Sequence, residues 1–222
     1  MSPNQPTNPS SRPQTSQLDR RQPINIAWWG RASAVLAPIA LIGGWTVAAA
    51  VQPEPFDSFT QTISALAAVG TPHRWIMTCG IAITGLCHLV TVTALRDAAI
   101  VGRIVYAVGG ATTLLVAFLP LPSPTGSSPA HGIVAAVSFA ALAIWPALAT
   151  NRRSGNPALR APISWLAAGT LAASVGAFAY VISTNPGGAV GLTERIAAGL
   201  EALWPLIAVT AGVFAFKKRR LP

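Results

Sequence analysis

The sequence predicts an all-α polytopic membrane protein, a bundle of six transmembrane helices with a short amphipathic helix in the first extracellular connection. Two observations predict it. Of 222 residues, 52% are hydrophobic and only 9% charged, whereas soluble domains carry about a quarter charged residues. The apolar residues are also gathered into six runs, each near the ~20 residues that cross ~30 Å of hydrocarbon. Outside those runs no segment exceeds about 30 residues, too short for a soluble domain beside the bundle.

Residues 1–25 are rich in Pro, Ser, Gln and Asn, with Leu18 and Ile24 the only sizeable aliphatics after Met1; they read as a disordered cytoplasmic tail. The six-helix domain follows over 26–217, with a basic cytoplasmic C-terminus at 218–222. The first apolar run, 32–51, follows Arg20 and Arg21, and Ala48 to Ala50 resemble a cleavage site. Its length exceeds the ~7–15 residues of a signal core, so it reads as a retained helix anchored by Trp28 and Trp29. The second run, 75–95, carries Cys79 and Cys87, about 12 Å apart along a helix and too distant for a disulfide. The third and fourth runs are 101–120 and 131–150. The fifth, 162–183, bears a strip of small residues from Ala168 to Ala177, which predicts a central, closely packed helix. The sixth is 195–216, and Pro38, Pro146 and Pro205 predict kinks.

Thirteen of the fifteen Lys and Arg residues fall on one side of this topology, leaving only Arg74 and Arg195 on the other. Basic residues mark the cytoplasmic side, so both termini are expected in the cytoplasm of a plasma-membrane protein. The formal charge of +9 is then a topological signal, and a nucleic-acid partner is not expected.

The connection from Gln52 to Arg74 is the longest. Asp57 can cap a helix over 58–69 with Phe59, Ile63 and Leu66 on one face, ended by Gly70. This helix would lie on the outer face of the bundle or dip into it. The second, fourth and sixth helices begin at the outer surface with His73 and Arg74, His131, and Glu194 and Arg195. Their positive dipole ends and the arginines suit an anionic group, with Asp57 and Glu194 positioned to hold the arginines. Glu201 lies two turns below Glu194 on the same face, an expensive intramembrane carboxyl that calls for a partner or a function. With Trp204 it could line an outward crevice between the second, fourth and sixth helices. His88 lies deeper in the second helix, where an imidazole hydrogen-bonded to a neighbouring helix is expected.

No His-Glu-x-x-His or Cys-x-x-Cys spacing calls for a metal, and no cofactor motif occurs. A serine hydrolase would need Ser64 or another serine beside His131 with an acid behind it, and no Gly-x-Ser-x-Gly turn supports that.

Three segments carry a resemblance: Gln61 to Ala68 leading to Arg74-Trp75-Ile76-Met77-Thr78; His131 followed by Ser138-Phe139 and Trp145-Pro146; and Gly191-Leu192-Thr193-Glu194-Arg195 with Trp204-Pro205. Together they are similar to the bacterial six-helix integral membrane family catalogued as domain of unknown function 998. The resemblance spans about residues 30–216 and implies fold and location but no activity. An acidic residue often precedes Arg-Trp in that family; His73 stands there in this chain.

The expected function is binding or transport of a lipid headgroup or small anionic molecule. Its ligand-binding candidates are Asp57, Arg74, His131, Glu194, Arg195, Glu201 and Trp204. The alternatives are a membrane-embedded lipid-modifying enzyme, with His131 and Glu194 or Glu201 as acid and base, and a structural scaffold. Membrane lipids are the expected partners.

Overall fold

A computed structural model describes residues 25–218. The expected tail and the last basic residues, including Arg219 and Arg220, lie outside them. The described residues form seven α-helices and one short 3-10 turn, with no strand. The six long helices are α1 (Trp28–Ala50), α3 (Trp75–Ala94), α4 (Ile100–Phe118), α5 (Pro129–Leu148), α6 (Ala161–Thr184) and α7 (Val190–Lys218), all long and apolar enough to cross a membrane. The protein is therefore a six-span membrane bundle.

Helix boundaries follow local chemistry. Ser128 caps α5, accepting from the His131 amide, and Pro129 occupies the first turn, where its missing amide hydrogen costs nothing. Pro38, Pro146 and Pro205 all sit inside helices on buried faces, so the carbonyls they free face protein rather than lipid.

Packing runs in chain order, α1 on α3, α3 on α4, α4 on α5, α5 on α6 and α6 on α7, and α7 closes the ring against α1. One apolar cluster lies at the end where α1 begins, and there Tyr106 stacks on Trp145 with ring centroids 4.4 Å apart. Trp204 packs against this cluster. Asn156 at the same end donates to the Ala208 carbonyl, 2.9 Å, and accepts from the Ala158 amide, 3.0 Å, tying the 151–160 connection to α7.

Two expectations are corrected. Helix α6 is not central: it is the least buried of the six spans, packing through Ser164, Ala167, Ala168 and Leu171 near its start. Its Ala172, Ala173, Gly176 and Ala177 are exposed. Small residues permit close approach without enforcing it. The amphipathic helix over 58–69 is also reduced to α2 (Ile63–Leu66). Asp57 closes a turn of its own, accepting from the Phe59 amide at 3.0 Å and the Thr60 hydroxyl at 2.7 Å, and Thr62 caps α2 instead. The Thr60 hydroxyl, then the Phe59 amide, hold the Asp57 carboxyl below its ordinary pKa. The turn is accordingly firm above the usual carboxylate range and loosens as pH falls through the depressed value. Gly70 ends the segment with φ of 84°, the left-handed conformation expected of it.

Candidate functional site

The connection between α1 and α3 is not a surface cover. Ile63 and Leu66 are buried in a second apolar cluster with Leu41, Met77, Ile81 and Ala202, so α2 plugs that end of the bundle. Because burying backbone in a membrane protein requires a partner for each polar group, the plug is held mainly by main-chain bonds.

The partners come from the first turns of α7. Arg195 Nη1 donates to the carbonyls of Ser58 (2.9 Å), Gln61 (2.8 Å) and its own helix's Gly191 (2.9 Å). The Leu192 amide donates to the Phe59 carbonyl at 3.0 Å. Glu194, only 5% exposed, accepts from the Ile63 amide at 2.5 Å and the Ser64 hydroxyl at 3.3 Å. Gly191 makes the approach possible: a Cβ there would overlap the Gln61 carbonyl oxygen and lie 2.7 Å from that of Ser58. Gly191-Leu192-Thr193-Glu194-Arg195 is thus a clamp on residues 58–64. Arg74 grips the same connection further on, its Nε donating to the Ala67 carbonyl at 3.1 Å.

The expected pairing of the arginines with Asp57 and Glu194 is replaced by these main-chain bonds. Both acids act on Arg195 through space only. The remaining Arg195 donors, Nε and Nη2, are enclosed rather than presented to a ligand, and the guanidinium carbon lies 5.8 Å from the centroid of the Phe56 ring.

Beside the clamp a crevice of about 830 Å³ opens between α5 and the exposed half of α6. This corrects the expected second, fourth and sixth helices: α3 contributes nothing to it, and α6 supplies Val175, Phe178, Ala179 and Ile182. Phe139 and Phe178, both in its lining, contact each other with ring centroids 5.5 Å apart. Its polar end gathers His131, Ser64 and Glu194. His131 Nδ1 lies 2.7 Å from the Leu119 carbonyl, so that nitrogen carries a hydrogen and in the neutral ring Nε2 accepts. Nε2 is 3.1 Å from Ser64 Oγ, placing one hydroxyl hydrogen between an imidazole and a carboxyl. Arg74, Arg195, Asp57 and Trp204 do not line the crevice, and Glu201 faces an adjoining interior cavity.

Ser64 carries no sequence signal of its own, since serine is common and no Gly-x-Ser-x-Gly turn surrounds it. The structure supplies the imidazole neighbour a serine hydrolase needs, but the amides around it are occupied. Those of Ile63 and Ser64 face Glu194, and that of Ala65 donates to Thr62 Oγ1 at 3.0 Å. A tetrahedral oxyanion on Ser64 would find these donors already taken. The arrangement is better suited to hydrogen-bonding a polar group than to attacking one. Among the described residues no group of three His, Cys, Asp or Glu side chains could hold a metal ion.

A family model described as a protein of unknown function (DUF998) matches residues 34–211, from α1 through most of α7. No curated protein and no solved structure matches the chain.

Proposed function

We propose that this chain, which belongs to the DUF998 family of proteins of unknown function, binds a membrane amphiphile in the crevice between α5 and α6. The carrying observation is the shape and chemistry of that crevice: about 830 Å³, within the roughly 300–1,000 Å³ of ligand sites, with apolar walls and a single polar end. An acyl or isoprenoid chain would lie along Phe139, Phe178 and Ile182, with its polar group against Ser64, His131 and Glu194. No Lys or Arg lines the crevice, which favours a neutral or hydrogen-donating headgroup over an anionic one.

The polar end faces the outer leaflet in this reading, and both termini are cytoplasmic. With Cys79 and Cys87 replaced by serine, Ser127→Cys and Gly188→Cys should react with an impermeant thiol reagent on intact cells, and Arg152→Cys, exposed in the connection between α5 and α6, only after permeabilisation. The reverse pattern would invert the assignment, which rests on the one-sided basic residues.

Binding is tested by lipid retained through purification in detergent, identified by mass spectrometry. Ala136→Trp fills the crevice and should lower retention of the bound species by about tenfold, a loss of ~1.4 kcal/mol. Ala177→Trp, exposed and on the face of α6 opposite Val175, Ala179 and Ile182, should leave it unchanged. Equal retention in both variants would refute the assignment.

A further inference from the structure

Below the clamp a cavity of about 70 Å³ lies between the helices and adjoins the crevice, sharing Ser64, Ala135, Phe139 and Glu194 with its lining. It has room for a few waters by the measure of ~10–15 Å³ for one. Its titratable lining groups are Glu194 and Glu201 from α7 and His88 from α3; α1, α4 and α5 contribute only apolar and hydroxyl side chains, α2 contributes Ile63 and Ser64, and α6 contributes nothing. No Lys or Arg lines it.

Two features give this cavity a direction. Glu201 is only 3% exposed, and its Oε1 is enclosed without a hydrogen-bond partner. At the deeper end, His88 is held by a run of buried hydroxyls. Ser33 Oγ lies 3.3 Å from the Gly30 carbonyl oxygen and shares a hydrogen bond of 2.8 Å with the Thr91 hydroxyl. The Thr91 side chain in turn meets the Tyr106 hydroxyl, which lies 2.9 Å from His88 Nδ1. The cavity is thus bounded by two carboxyl groups and an imidazole; Arg195 acts on Glu194 through space from outside the lining, and no Lys or Arg stands in the lining itself. Intramembrane acids in such settings mark ion and proton sites.

We propose that the interior cavity is a proton-binding site, with Glu201 as the acceptor and Glu194, shared with the crevice, as the group through which protons enter. A proton arriving at Glu194 passes along water in the cavity to a Glu201 carboxylate oxygen, giving the neutral acid; release reverses the path, with no other bond made or broken. The site stands independently of any amphiphile in the crevice.

Full-length protein in phosphatidylcholine vesicles can be titrated while the infrared carbonyl stretch of protonated carboxyl groups is followed in H2O and D2O. The expected result is a titrating band that shifts on exchange into D2O and is lost in Glu201→Gln. In Glu194→Gln the Glu201 band should persist but exchange about tenfold more slowly, a ~1.4 kcal/mol increase in barrier. Absence of any exchangeable protonated-carboxyl band in the wild-type protein at every pH would overturn the proposal, even if Glu201→Gln fails to fold. So would an unchanged band in Glu201→Gln, or unchanged exchange in Glu194→Gln. Replacing potassium by sodium at fixed pH should leave the band unaltered; loss of the band in sodium would assign the cavity to a metal cation instead and refute the proton site.

Discussion

Gly191→Val is expected to unseat the connection between α1 and α3 and to be the most damaging single substitution at this end of the bundle. Even the first carbon of the new side chain would overlap the Gln61 carbonyl oxygen, and backbone, unlike a flexible side chain, cannot rotate aside. Either residues 58–64 lift or α7 shifts outward. Both separate Arg195 from the Ser58 and Gln61 carbonyls and Glu194 from the Ile63 amide. Overpacking alone costs about 1–3 kcal/mol, and each buried polar group left unpaired adds roughly 1–3 kcal/mol. Thermal aggregation in detergent should begin at a clearly lower temperature, and limited proteolysis should cut between residues 52 and 74 faster than in the wild-type protein. Wild-type protease resistance in Gly191→Val would show that the connection does not depend on this contact.

Arg195→Ala should come next. One nitrogen with two hydrogens serves three carbonyls, so one hydrogen is shared, and bonds from a charged donor contribute about 1.5–3 kcal/mol each when not divided. Sharing and partial exposure bring the expected total to roughly 3 kcal/mol. Arg195→Lys should recover only part of it, since a single ammonium on a flexible stem lacks the fixed planar geometry of guanidinium. Chemical denaturation in mixed micelles would order the stabilities wild type, Lys, Ala. Equal stability of the Ala variant would reduce Arg195 to a surface cation.

The spans were legible because apolar runs near the membrane thickness have few other structural solutions, and the expected bounds fall within a few residues of the helices except at the early start of α7. Gly70 was legible for a similar reason, since its left-handed backbone is costly for other residues. Glu194 and Arg195 stood out by charge, but what they hold did not: their partners are mainly amides and carbonyls of residues 58–64, which every residue type possesses. The small-residue strip in α6 misled because small residues permit a close neighbour without supplying one, and Ala172, Ala173, Gly176 and Ala177 stay exposed. Ser64 remained hidden because its neighbours, His131 and Glu194, lie far away along the chain.

The clamp also orders the protein's own biogenesis. The Ile63 amide meets its carboxyl partner 131 positions later in the chain, and the Ser58 carbonyl meets its guanidinium 137 positions later. At ordinary synthesis rates of about 5–20 residues per second, the N-terminal plug waits on the order of ten seconds for its fastening to be made. Throughout that interval five helices can enter the bilayer and pair in sequence while the segment between the first two has only its contacts with α1, α3 and the chain after α4. The last helix therefore completes the assembly, and a nascent chain released before its first turns appear lacks the fastening that closes the top of the bundle.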